Sequence, residues 1–181
     1  LISSNDGHID ALELQLALNN ALKKSTIKVL EESVIKLERN SLVGNPKWLI
    51  HLSKSKSITK DMIIICAALG SEALLNPLGH QRPIEPMLGQ ALNLQLKNKP
   101  PNWNNWPAVV VFDGINLIPK GMNKLLLGAT VEPGLRKNSK CLEELKSLKG
   151  NAPDWHKNSS IHKQWCGIRA RPLNRPAPLL E

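Results

Sequence analysis

An arginine follows a short apolar run near the end of the chain, in Trp165-Cys166-Gly167-Ile168-Arg169. The run reads as a buried strand. A guanidinium is always charged, so its place there calls for an anionic partner. A protein carboxylate would make it a structural ion pair. A substrate carboxylate, gripped through two parallel N–H groups, would make it a binding residue. Upstream, Gly128-Ala129-Thr130-Val131-Glu132 reads as the second half of the same signature. The histidines His8, His51, His80, His156 and His162 are scattered and read as surface or capping residues. Cys66, Cys141 and Cys166 are widely spaced, with no Cys-x-x-Cys and no Cys/His cluster. Metal ligation is therefore not expected, and a reduced, cytoplasmic setting is. Cys66 and Cys166 lie in apolar stretches and read as small core residues.

Composition narrows the partners. The formal charge of +9 invites a nucleic-acid reading, but the lysines are spread along the chain without a dense block. Tyr is absent and Phe occurs once, which leaves no aromatic platform for stacking bases. Neither nucleic acid nor membrane is expected as a partner. No apolar run approaches the ~18 residues of a membrane helix. The first residues, Leu1-Ile2-Ser3-Ser4, have no initiator Met and no signal-peptide layout. They read as the middle of a longer polypeptide.

The elements that must position Arg169 follow from periodicity. Asp10-x-x-Glu13 opens a helix over about 10–24, with Leu14, Leu18, Ala21 and Leu22 on one face. Strands are expected at 27–30, 33–38 and 48–52, with a turn over 40–47 around Gly44-Asn45-Pro46. The continuous apolar run 62–66 reads as a strand buried on both faces of a parallel sheet. From Pro83 on, turn residues punctuate strand-like pieces at 90–96, 108–112, 116–119 and 125–131, as in an antiparallel sheet. Ser139 is expected to cap a helix running to about Lys149. A strand over 161–169 then carries Arg169, and a Pro-rich tail follows. The fold class is thus α/β (α+β).

Six short blocks in order carry a further reading: Asp6-Gly7-His8-Ile9-Asp10, Ile63 to Ser71, Pro86-Met87-Leu88-Gly89-Gln90, Ile118-Pro119-Lys120, Gly128 to Glu132 and Trp165 to Arg169. Together they resemble the flavin-dependent amine and D-amino-acid oxidase superfamily, and most nearly its glycine oxidase type linked to thiamine biosynthesis. The resemblance implies an FAD enzyme that oxidises a small amino acid or amine to its imine, with dioxygen reoxidising the flavin. It implies an FAD-binding domain of Rossmann type over residues 1–82 and 164–181, and an antiparallel-sheet substrate domain over 83–163. By position, it makes Arg169 the ligand of the substrate carboxylate, with pairing to Glu132 or Glu85 as the structural alternative. Asn116 stands where glycine oxidases usually carry a carboxylate-binding tyrosine. Val34 matches a backbone contact to the adenine end of FAD. Ala67, Ala68, Leu69 and Gly70 match the turn near the flavin, where the family commonly has Gly at the Ala68 position. Gly89 and Gln90 match the loop entering the substrate domain; otherwise they are a turn glycine and a solvent-facing amide.

The chain departs from the pattern at both ends. It lacks the Gly-x-Gly-x-x-Gly that cradles the pyrophosphate, and it stops before the Gly-His-x-Arg-Asn-Gly stretch that lines the flavin. The resemblance therefore implies an internal fragment, inactive alone, whose FAD site belongs to the full-length parent. Exposed strand edges in such a fragment favour homo-oligomers. The alternative function is a non-catalytic interaction or structural module derived from such an enzyme.

Overall fold

The computed structural model describes residues 9–40 and 47–174. Contacts divide the chain into two compact units, Leu1–Gln15 with Pro86–Arg169, and Leu16–Glu85 with Ala170–Glu181. The division expected from sequence follows residues 82 and 163; the contact units break after residues 85 and 169. Residues 164–169 join the first unit because the last strand pairs with its long central strand.

The first unit is built on a six-stranded sheet. Its strands are β4 (Ile84–Gln95), β5 (Val110–Phe112), β6 (Ile115–Pro119), β7 (Lys124–Gly128), β8 (Glu132–Pro133) and β9 (Ser160–Pro172). The order is β5-β6-β7-β4-β8, with β9 also paired to β4. The β5–β6, β6–β7, β4–β7 and β4–β8 ladders are antiparallel. Side chains alternate across a strand, so one face of this sheet collects Leu92 and Leu94 from β4, Leu125 and Leu127 from β7, and Ile115 and Leu117 from β6. Helix α3 (Ser139–Lys146) contributes Leu145 to the same core. Its cap is Asn138, one residue before the expected Ser139, and the Asn138 side chain accepts from Lys140 N at 2.9 Å. The helix stops at Lys146, short of Lys149, because Leu148 and Lys149 take left-handed backbone angles that end it. Leu148 still turns into the core. Helix α4 (Asp154–Lys157) follows, with Trp155 edge-on to Trp106, which in turn packs at a tilt on Trp103.

The second unit holds a three-stranded antiparallel sheet, β1 (Val34–Asn40), β2 (Lys47–Leu52) and β3 (Ile58–Lys60), with helix α2 (Ser71–Leu75). Its core is small: Leu37, Ile50 and Leu52, flanked by Ile58, Ile63, Ile65, Leu74 and Leu78. Two expected strands differ. Residues 27–30 form no strand, and neither do residues 62–66. The latter run has no ladder among the described residues, so it is not buried on both faces. Ile63 and Ile65 reach the small core, whereas Met62 and Ile64 are 78% and 80% exposed. Cys66, expected in the core, is exposed for the same reason.

Helix α1 (Ala11–Lys24) forms as its pattern requires, capped by Asp10 Oδ1 accepting from Leu12 N at 2.9 Å and from Glu13 N at 3.3 Å. None of its residues is buried. The Asp6-Gly7-His8 part of the first block, most of the 40–47 turn and the end of the Pro-rich tail lie outside the described residues.

Candidate functional site

In the first unit, the sheet face opposite the leucine core carries Leu126 and Ile118 in one row with Asn93, and small or polar residues beside them: Gly89 and Ala91 on β4, Gly128 on β7 and Asn116 on β6. The register puts Asn116, Gly128 and Ala91 in one row across three strands. That row spans about 10 Å at the usual inter-strand spacing. A Cβ on Gly128 would come within 3.1 Å of Ala91 Cβ, so the middle of the face stays low. Gly89 is equally constrained. A Cβ there would meet Thr130 O at 3.1 Å and Arg169 Nη2 at 3.4 Å, so glycine provides the space in which the guanidinium lies.

Arg169 sits on β9 and donates from Nη2 to the Thr130 carbonyl at 3.4 Å. Among the described residues no carboxylate pairs with it, so neither Glu132 nor Glu85 acts as its counterion. The premise of a buried strand is also corrected. β9 is exposed along most of its length, with Trp165 40% exposed and Cys166 exposed. The arginine therefore meets solvent and leaves its outward N–H groups available to a ligand. Asn116 is exposed on the same sheet. The structure thus brings both expected substrate residues to one sheet, separated by glycine and alanine.

Beneath Arg169 lies a network that sequence reasoning missed. Gln90, expected at the loop entering the substrate domain or else as a solvent-facing amide, lies on β4 and is 1% exposed, and Glu132 is 3% exposed. Glu132 Oε1 accepts from the Thr130 hydroxyl and from Gln90 Nε2 at 2.9 Å. Its Oε2 accepts from Asn138 N at 2.6 Å. Gln90 N donates to Thr130 Oγ1 at 2.7 Å, and Thr130 N to Gln90 O at 3.0 Å. Gln164 Nε2, on β9, donates to Gln90 Oε1 at 3.3 Å. Burial alone pushes the Glu132 carboxyl up, but the donors from Thr130, Gln90 and Asn138 outweigh it and hold the pKa below its ordinary value. The alternation of β4 carries the signal for this network: Gln90 falls on the leucine face, where an amide must find partners.

In the second unit, a cleft of about 530 Å³ is lined by Val34, Ile63 to Ala67, Gly70 and Leu74 among others. It gathers three of the residues expected at the cofactor, Val34, Ala67 and Gly70. Val34 opens β1 opposite Leu52, at a register shift. Ala68 and Leu69 lie on the adjoining turn, which is closed by Gly70 N donating to Ala67 O at 2.8 Å. Ala68 has φ +47°, a left-handed angle that favours glycine. The small side chains and apolar walls suit a flat ring system. A second cleft of about 590 Å³ runs along Lys36, Glu38 and Arg39 and holds none of the expected cofactor residues. Beside it, Ser57, His51 and Glu38 form a hydrogen-bonded chain of 3.0 and 3.1 Å. Among the described residues no cluster could hold a metal ion, and no helix is long and apolar enough to cross a membrane.

Comparison with known proteins gives consistent results. The family profile described as "FAD dependent oxidoreductase" matches residues 1–180. Glycine oxidase of Pseudomonas putida is 25% identical over 115 residues, covering 62% of this chain and 30% of that protein. The crystal structure of glycine oxidase from Geobacillus kaustophilus superposes with a TM-score of 0.72 at 18% identity, over 90% of this chain and 43% of that one. Iminodiacetate oxidase from Chelativorans sp. BNC1 gives a TM-score of 0.70 at 21% identity, over 88% and 42%. The chain thus spans less than half the length of these relatives.

Proposed function

The chain belongs to the FAD dependent oxidoreductase family, and we propose that it is the substrate-binding portion, with part of the FAD-binding portion, of an oxidase that converts a small amino acid to its imine. One observation carries the reading. Arg169 lies over Gly89 on an open sheet face and has no carboxylate partner among the described residues. Its natural counterion is the carboxylate of a ligand, held by two parallel N–H groups. Glycine at 89 and 128 and alanine at 91 keep the face shallow, so a short substrate can lie flat beside the guanidinium. Asn116 offers an amide at the far end of the row, where the related oxidases carry a phenol. An amide both donates and accepts, so it can hold a carboxylate oxygen or the substrate amine.

The cofactor residues of this reading are Val34, Ala67, Ala68, Leu69 and Gly70, with FAD as the cofactor of the full-length protein. The Val34 backbone would meet the adenine end, and the 67–70 turn would approach the ring without a bulky side chain. When bound, FAD supplies the acceptor for the two electrons leaving the amine C–H bond, with dioxygen as final oxidant. The protein then has to orient the substrate and exclude water, which needs no acid–base triad. In this reading residues 1–82 with 164–181 belong to the FAD-binding portion and 83–163 to the substrate portion, with Arg169 reaching the substrate from the last strand. The test is direct. Full-length protein should be yellow and should release peroxide with glycine or sarcosine. Colourless protein giving no peroxide across small amino acids would overturn the proposal.

A further inference from the structure

Glu132 is buried, ionised and occupied entirely by neutral donors. The Thr130 hydroxyl, the Gln90 side-chain amide and the Asn138 N–H all point at its two oxygens. None of these groups is itself a charge that needs neutralising, so the carboxylate is not there as half of an ion pair. What it does fix is the 130–138 segment. Thr130 is held at three points: its hydroxyl donates to Glu132, the same oxygen accepts from Gln90 N, and its N–H donates to Gln90 O. The remaining polar atom of Thr130, its carbonyl, accepts from Arg169 Nη2. A second route runs through Gln90, whose Nε2 donates to Glu132 and whose Oε1 accepts from Gln164 on the strand that carries Arg169. The first route ends at the Arg169 guanidinium, and the second on the strand that carries it, five residues earlier.

We propose that Glu132 is a positioning residue: through Thr130 and the Gln90–Gln164 amide pair it fixes the guanidinium of Arg169 for a substrate carboxylate. The inference rests on the reading of Arg169 as that ligand. Glutamine cannot replace it, because its NH2 would oppose the Asn138 N–H or the two donors on the other oxygen. Loosening Thr130 lets its carbonyl turn. Arg169 then loses its preset geometry, and substrate binding has to supply the ordering.

The test uses the full-length flavin-loaded protein. KM and kcat are measured for glycine, and glycolate binding is measured by titration calorimetry. Glu132→Gln is expected to raise KM and weaken glycolate binding ~10-fold each while kcat changes little. Thr130→Val, which removes the hydroxyl and keeps the shape, is expected to act in the same direction and decides the matter if Glu132→Gln does not fold. The combined Arg169→Ala/Glu132→Gln variant should bind glycolate no more weakly than Arg169→Ala, since both act on one group. If Arg169→Ala weakens glycolate binding and Glu132→Gln and Thr130→Val do not, Glu132 has no positioning role. Additive losses in the double variant would also overturn it. If Arg169→Ala itself leaves glycolate binding unchanged, the carboxylate reading fails first.

Discussion

The two sheets of this chain solve the burial problem differently. The first unit closes one face of its sheet with interlocking leucines and covers it with α3, so Leu92, Leu94, Leu125 and Leu127 see almost no solvent. Its other face carries small and polar residues at Gly89, Ala91, Gly128 and Asn116 beside Leu126 and Ile118. The second unit buries only Leu37, Ile50 and Leu52 and leaves Ile35, Met62 and Ile64 largely exposed. A sheet with a sealed core can hold a charged side chain in fixed geometry, because the backbone beneath it cannot shift without opening the core. A sheet with a shallow core offers apolar clefts instead, which suits contact with a flat ring.

The sharpest way to break this contrast is to cut into both cores. Leu127→Ala is expected to cost about 2–5 kcal/mol, while Leu52→Ala costs ~2 kcal/mol or less because the cluster around it holds only two other buried side chains. Chemical denaturation followed by hydrogen exchange in each unit reads both. Equal costs would remove the distinction. Next in size, Arg169→Ala should raise KM for carboxylate substrates by about 100-fold while the flavin spectrum of the full-length protein persists. Loss of bound flavin would mean that the first unit's face does more than hold substrate.

Acid should separate the units further. His156 is buried, and its Nε2 has no partner among the described residues. Burial, and then the charge of Lys146, hold its pKa below the ordinary 6.5. The folded state therefore favours neutral imidazole, a contribution present above that ordinary value and lost as pH falls from it through the lowered one. Glu132 adds a second loss at lower pH. Its stabilisation is present above the ordinary 4.5 and disappears as pH falls through its lowered pKa. In the second unit the lowered group is Glu38, held down first by Lys36 and then by His51, but its side chain is 41% exposed and its effect is screened. Melting curves from about pH 8 down to about pH 5 should fall for the first unit, and His156→Gln should flatten that fall. An unchanged slope would rule out His156 as its source. The smallest effect belongs to the second unit. Ala68→Gly relieves a left-handed alanine and should stabilise by at most ~1 kcal/mol, read as a small rise in Tm. A fall in Tm would mean that the turn gains more from the methyl group than it loses in strain.

Much of the chain was legible without coordinates. The helix behind Asp10, the strands at 33–38 and 48–52, the antiparallel sheet after Pro83 and the strand carrying Arg169 all follow from spacing and punctuation. The mistaken strand at 62–66 has an identifiable cause. An apolar run says that burial is wanted, not which neighbour supplies it, and here the ladder partner is missing among the described residues. The same limit applies to β9. Its apolar letters suggested a buried charge at Arg169, whereas pairing with β4 leaves the strand exposed.

The sequence by itself determined the residue types at the candidate site: an arginine that cannot lose its charge, glycines without a Cβ, and an asparagine with an amide to offer. These are covalent facts, independent of packing. Only the tertiary structure decided who partners whom. Glu132, forty-two residues from Gln90, could have neutralised Arg169 or been left to water. The fold places it under Thr130 with three donors around it, and so leaves the guanidinium facing outward. Hydrogen bonds are short-ranged and directional, so such a choice is made only when the strands have found their register.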